Sequence, residues 1–274
     1  MGSFHAEVTP EQVKNLGGGV LMPVLGLGVW QMVEGRETEQ AVEWALEAGY
    51  RHIDTAQMYR NERSVGAAVA RSGVPREEVF VTTKWVPMVR GATAELRRSL
   101  ERLGFEYVDL YLIHWPMPAV VPRQWRGLES LQDSGLTREI GVSNFGVRRL
   151  RSLARRAERK PAVNQVQLSP FHYRRALVDY CTASGIVPTA YSPLERGKEL
   201  ANPTVTAIAE RTGRTPAQVL LRWAVQRGCV VIPKSVRQER IRSNAQIFDF
   251  ELDDDAMRAL DALDRTHGTA RARP

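Results

Sequence analysis

The sequence predicts an α/β chain folded as a closed (β/α)8 barrel with a small N-terminal β-hairpin. Three observations carry this. Eight short apolar runs alternate with segments of helical periodicity over 274 residues, the pattern of parallel strands joined by crossover helices. Three of the runs end in polar residues, Asp54, Lys84 and His114, spaced 30 residues apart, which is roughly one strand-plus-helix unit. No linker-like stretch divides the chain, so a single TIM-barrel domain over residues 1–274 is expected rather than an open doubly wound sheet.

In chain order, Val13–Leu16, Gly17-Gly18-Gly19 and Val20–Pro23 read as a hairpin with a glycine turn. The strands are expected at Val24–Trp30, Arg51–Asp54, Val79–Lys84, Tyr107–His114, Glu139–Val142, Ala162–Val166, Val187–Tyr191 and Cys229–Ile232. Between them, Leu96, Leu100 and Leu103 share one helical face, as do Val147, Leu150 and Ala154. Thr215 followed by Pro216 marks the start of a helix over 216–227, a cap followed by a preset φ. Gly49, Gly104 and Gly228 fall where helices should stop. The polar tail Thr266–Pro274 is expected to fray.

Composition narrows the function. The 43% hydrophobic content supports a large core, and no apolar run is long enough to cross a membrane. Residues Met1–His5 lack a secretory pattern. Cys181 and Cys229 have neither disulfide-framework nor zinc spacing, so a reduced cytoplasm with two small buried thiols is expected. The net charge is +7, with arginines dispersed along the chain and no nucleic-acid motif, which favours a small anionic ligand over nucleic acid. Of the 38 basic residues only five are lysine, leaving 33 arginines. Lysine can be tuned chemically where arginine cannot, which singles out Lys84 and Lys234 at strand ends.

Catalytic groups of such barrels sit at the C-terminal ends of strands. Asp54, Lys84 and His114 occupy that position, and Tyr59 overhangs them from the first of these loops. A tyrosine of ordinary pKa, about 10, is a poor acid at neutral pH unless its phenolate is stabilised. A lysine ammonium could do that, with a carboxylate holding the lysine and a neutral imidazole orienting a carbonyl. The four together suggest a general acid for a carbonyl oxygen. They contain no reductant, and no metal-ligand cluster or G-x-S-x-G elbow accompanies them.

At these residues the sequence resembles the aldo-keto reductase family, including bacterial members similar to 2,5-diketo-gluconate reductase. The motifs are His52-Ile53-Asp54-Thr55-Ala56 with Tyr59, Asn61 and Glu62; Thr82-Thr83-Lys84; Asp109–Pro116; Ile140–Phe145; Asn164-Gln165; and Ile232–Val236 with Arg240, Ile241 and Asn244. The resemblance spans about Val13 to Leu263 and implies a monomeric NADPH-dependent reductase of aldehydes or ketones. It implies Tyr59 as general acid, Lys84 and Asp54 as its tuning pair, and His114 as the residue that orients the carbonyl. Ser143, Asn144 and Gln165 would hold the nicotinamide carboxamide, Tyr191 would stack on the ring, and Ser192 and Leu194 would follow the pyrophosphate. Lys234, Ser235, Val236 and Arg240 would take the 2′-phosphate end, with Arg237 as a further contact and Asn244 toward the adenine. Trp30, Met58, Trp85, Trp115 and His114 would face the small-molecule carbonyl.

The family binds its cofactor without a Rossmann fingerprint, and Gly26–Gln31 accordingly lacks the third glycine. Ser243 stands where members often carry glutamate, removing one expected adenine contact. The segments Trp85–Gly91 and Pro116–Trp125 look short for the family, which implies an open, shallow pocket. Two other readings compete: a cofactor-sensing protein of the same fold with negligible turnover, and an unrelated barrel enzyme with a phosphorylated substrate at Lys234 and Ser235.

Overall fold

The computed structural model describes residues 12–87, 91–117 and 121–266. Val13–Asn15 (β1) and Leu21–Pro23 (β2) pair antiparallel. Gly17, Gly18 and Gly19 all take positive φ in the turn between them, a conformation that costs glycine almost nothing. The hairpin matches the sequence expectation, and Met22 at its centre is fully buried.

Eight parallel strands follow in sequential order: Leu27–Gly28 (β3), His52–Asp54 (β4), Phe80–Trp85 (β5), Val108–Ile113 (β6), Thr137–Ser143 (β7), Val163–Gln167 (β8), Val187–Tyr191 (β9) and Val230–Ile232 (β10). Leu25 bridges to Val231, with Gly26 donating to the Val231 carbonyl and Val231 to that of Val24, so the first and last strands meet and the sheet rolls into a barrel. β3 is shorter than the expected Val24–Trp30. Its leading residues pair with β10 instead of β4, and the chain turns back between Val29 and Met32. A β-carbon on Gly28 would stand 2.8 Å from the Ile232 carbonyl oxygen, so only glycine allows this closure at the barrel mouth.

Each strand is followed by a helix that covers it. Arg36–Glu47 (α1), Glu62–Arg71 (α2), Ala92–Leu103 (α3), Val121–Asp133 (α4), Val147–Ala154 (α5) and Arg175–Ala183 (α6) serve the first six. Pro203–Thr212 (α7) and Pro216–Gln226 (α8) both lie between β9 and β10, and Gln238–Ala245 (α9) and Asp254–Asp261 (α10) follow. Leu96, Leu100 and Leu103 form the buried stripe of α3 as expected. On α5 the stripe is Leu150 and Leu153, and Ala154 faces solvent. α8 starts at a capping box in which Thr215 and Gln218 satisfy each other's backbone N–H groups. Residues 267–274 of the expected tail lie outside the described residues.

All six residues of β6 are buried, as a strand covered on both faces should be. At its N-terminal end Asp109 accepts from Arg76, from Arg138 and from the Val81 backbone, tying the barrel floor. Cys181 and Cys229 are buried free thiols, pushed up by burial to about 11 and about 12.

His52, fully buried in β4 against Thr82, has its imidazole pushed down to about 3, mainly by burial. The sign of the linkage follows. Above the unfolded value near ~6.5 neither state binds the proton, whereas below it the unfolded chain takes up a proton that the native ring refuses. Stability therefore falls as pH drops from about 6.5 towards 3, by up to about 1.4 kcal/mol per pH unit for this ring. Thermal unfolding followed between pH 6 and 4 should show this slope, and His52→Gln should make it shallower by about one proton. An unchanged slope in the variant contradicts the assignment.

Candidate active site

The strand register delivers the polar residues to one rim. Asp54 ends β4 opposite Thr82 of β5, and Lys84 lies two residues further along β5 opposite Leu112 of β6. His114 follows the last residue of β6 and donates its backbone N–H to the Trp85 carbonyl. Tyr59 closes a short 3-10 turn, Gln57–Tyr59, that begins three residues after Asp54, and Arg60 in left-handed backbone leads the chain away. The four residues read from the sequence as a unit thus come together in space.

Lys84 has no exposed surface. Its ammonium donates to Asp54 Oδ1 at 2.5 Å, the Thr55 carbonyl at 2.8 Å and Tyr59 Oη at 3.3 Å, so all three hydrogens have acceptors. Burial pulls the ammonium down, but the attraction of Asp54 and Tyr59 outweighs it and holds Lys84 above its ordinary value. The other oxygen of Asp54 accepts from Gln165 Nε2 at 2.7 Å, across the barrel on β8. Burial raises the Asp54 carboxyl while Lys84 and Gln165 pull it down. We place the pair in its ionised form, because all three ammonium hydrogens have acceptors and each carboxylate oxygen accepts a hydrogen bond.

Burial holds the Tyr59 hydroxyl above the ordinary tyrosine value despite the opposing pull of Lys84. In the protein alone it is therefore a neutral, protonated donor. His114 packs edge-on to Tyr59, ring centroids 5.7 Å apart, and stacks against Trp115 at 6.1 Å. Its imidazole is pushed down to about 3 by burial and by the charge of Lys84, so it is neutral at physiological pH. His114 Nδ1 is buried without a hydrogen-bond partner among the described residues.

These groups form the floor of a cavity of about 930 Å³ at the C-terminal mouth of the barrel. Asp54, Tyr59, His114, Ser143, Asn144 and Gln165 line its centre. Asn144 adopts left-handed backbone (φ 64°), which asparagine tolerates better than most residues. Its amide donates to the His114 carbonyl and to Ser143 Oγ, and Tyr191 Oη donates to its Oδ1 at 2.9 Å. Ser143 Oγ in turn donates to the Gln165 carbonyl. Ser192 and Leu194 extend the wall, leading to Lys234, Ser235, Val236, Arg240 and Asn244 at the far end. There Lys234 and Arg240 are exposed, and the Glu239 carboxylate feels the charge of Arg240. Arg237 at the same end is paired with Glu239 at 2.6 Å.

Trp30, Met58 and Trp115 also line the cavity and are 38%, 58% and 47% exposed, an unusual concentration of bare apolar surface. Trp85 does not join them. It is the last residue of β5, 3% exposed and packed in the core, so the expected fifth wall residue faces away from the cavity. The expectation of short loops falls partly on residues 88–90 and 118–120, outside the described residues.

Several lining residues were not singled out from sequence. Gln167 lies two positions beyond Gln165 on the same strand face, a period-2 signal that could have found it. Arg196, whose guanidinium sits 4.7 Å over the Trp30 ring, has left-handed backbone within a loop and offered no periodic signal. Glu239, an acid inside a basic cluster, was equally silent. Among the described residues no group of three or more His, Cys, Asp or Glu side chains could hold a metal ion, and no helix is long and apolar enough to cross a membrane.

A buried lysine–carboxylate pair under a protonated tyrosine, beside a neutral histidine in a barrel mouth, is an arrangement for polarising a bound carbonyl. Comparison with known proteins agrees. The aldo/keto reductase family model matches residues 24–265. The chain is 48% identical over 250 residues to a 9,11-endoperoxide prostaglandin H2 reductase from Trypanosoma cruzi, covering 89% of this chain and 88% of that protein. It is 47% identical over 250 residues to a glyoxal reductase from Bacillus subtilis, covering 90% and 91%. The crystal structure of an aldo/keto reductase from Brucella melitensis matches with a TM-score of 0.87 at 42% identity, covering 92% of this chain and 99% of that one. The chain belongs to the aldo/keto reductase family.

Proposed function

We propose that this protein reduces small aldehydes and ketones to alcohols with NADPH, Tyr59 supplying the proton. The observation that carries the proposal is the Asp54–Lys84–Tyr59 chain of hydrogen bonds, ending on a protonated hydroxyl in the cavity.

The residues present fit an extended dinucleotide phosphate. Lys234 and Arg240, both exposed, with Ser235 beside them, provide cations and a hydroxyl for a phosphate dianion. At the centre, Ser143, Asn144 and Gln165 offer the mixed donors and acceptors that a carboxamide needs. Ser143 and Asn144 already bond to each other and to neighbouring backbone, so holding a carboxamide would exchange some of those bonds. Tyr191, fixed by its bond to Asn144, presents a ring for stacking. When bound, the cofactor supplies the hydride.

The chain's own residues do the rest. His114, neutral because burial and Lys84 prevent its protonation, can donate a hydrogen bond to the substrate carbonyl oxygen without delivering a proton. Tyr59 transfers its hydroxyl proton to that oxygen as negative charge develops there. The nascent phenolate is stabilised by the Lys84 ammonium 3.3 Å away, an interaction stronger in the transition state than in the resting enzyme. Asp54 keeps Lys84 charged and aimed, and Gln165 keeps Asp54 in place. Trp30, Met58 and Trp115 exclude water and offer apolar contact to the substrate body.

Two outcomes are expected. Tyr59→Phe should lower kcat about 100-fold or more, the usual range for losing a general acid, while NADPH affinity measured by protein fluorescence changes less than about twofold. Retained turnover refutes the acid assignment. NADPH should exceed NADH in kcat/KM by at least about tenfold, and Lys234→Ala should remove most of that difference; equal efficiency with both cofactors in the unaltered protein contradicts the role given to Lys234.

A further inference from the structure

Asn61 is fully buried at the start of α2 and takes no part in the chemistry above, yet each polar atom of its side chain is engaged. Its amide donates to the carbonyl of Val29 at 2.9 Å and to that of Met32 at 3.2 Å. Its Oδ1 accepts from Thr55 Oγ1 at 2.9 Å. Val29 and Met32 are the two ends of a single turn, closed by a hydrogen bond from the Met32 N–H to the Val29 carbonyl. Trp30 and Gln31 form the tip of that turn, and both line the cavity.

The turn's own hydrogen bond closes a strained tip. Gln31 has a φ of 61°, a left-handed backbone that disfavours a long side chain. Trp30 is 38% exposed, and the Arg196 guanidinium lies over its ring, 4.7 Å from the centroid. A strained tip bearing a half-exposed tryptophan needs a fixed point beneath it. Asn61 supplies one, reaching two carbonyls with one amide from a site where water does not compete. The other end of the tether is Thr55, whose own carbonyl accepts from Lys84 Nζ. The side chain therefore joins the Trp30 wall to the backbone that seats the proton-donating assembly.

We infer that Asn61 is a positioning residue that sets substrate fit, by clamping the Val29–Met32 turn so that Trp30 stands as a fixed wall of the cavity that Tyr59 also lines. This rests on the proposed carbonyl reduction for its kinetic consequence, but not for the tether itself. The substrates most affected are those whose body reaches Trp30, such as aryl aldehydes, while a two- or three-carbon aldehyde feels the change least.

The test is a double-mutant cycle between Asn61→Ala and Gln31→Gly, the second removing the left-handed strain that the clamp opposes. Asn61→Ala should raise KM for a substituted benzaldehyde about tenfold, with kcat reduced less than about threefold and KM for propanal changed less than about threefold. On the Gln31→Gly background, the same substitution should raise the benzaldehyde KM less than about threefold. Amide hydrogen exchange over residues 29–32 should accelerate about tenfold or more in Asn61→Ala, without matching acceleration in β5 and β6. If the alanine variant does not fold, Asn61→Ser, which keeps one hydroxyl but cannot span both carbonyls, replaces it throughout. A loss confined to kcat, equal loss for both aldehydes, additive effects in the cycle, or unchanged exchange over 29–32 overturns the inference. If the unaltered protein reduces no aldehyde, the carbonyl-reduction reading fails, and the exchange measurement alone then decides whether the tether exists.

Discussion

The structure of the site depends on keeping one ammonium group charged where no water reaches it. Burying an isolated lysine costs several kcal/mol, and the usual response is loss of the proton. Lys84 keeps its proton because its three hydrogens meet a carboxylate, a carbonyl and a phenol. Removing the carboxylate would leave an uncompensated buried charge, typically worth about 3–5 kcal/mol. The positive field at Lys84 then governs its neighbours: it helps hold His114 neutral, and it opposes the burial that raises Tyr59. Burial and charge act against each other on Tyr59. The hydroxyl keeps its proton at rest, and its conjugate base has a cation waiting.

The barrel makes this possible by rigid pairing and not by local sequence. β4, β5 and β6 bring Asp54, Lys84 and His114 alongside one another, and β8 returns from the opposite side with Gln165 for the second carboxylate oxygen. Those elements are buried and fully paired, so the donor geometry is preorganised before anything binds, as electrostatic catalysis requires. The loops above carry the rest of the lining: the basic Lys234 and Arg240, the apolar Trp30, Met58 and Trp115, and several residues with left-handed backbone.

Much of this was legible in the sequence because parallel barrels repeat. A strand-plus-helix unit has a nearly constant length, so polar residues at regular intervals on strand ends had to share a rim, and Asp54, Lys84 and His114 do. What periodicity cannot report is contact across the ring. The bond between Gln165 and Asp54 joins residues 111 positions apart and leaves no spacing signal. Trp85 shows a second limit. Strand side chains alternate faces, and its neighbour Lys84 already points into the barrel, so Trp85 must point into the surrounding core. The direction of the Tyr59 shift shows a third: the sign depends on how deeply the ring is buried, which residue type does not convey.

The central claim is that Asp54 acts on the reaction only through Lys84. The most direct measurement is a double-mutant cycle on kcat for NADPH-dependent aldehyde reduction, using Asp54→Asn and Lys84→Met singly and together. Asp54→Asn should lower kcat about tenfold or more when Lys84 is present, and by less than about twofold when it is already methionine. Equal losses on both backgrounds would show that Asp54 reaches the reacting oxygen by another route and would contradict the account.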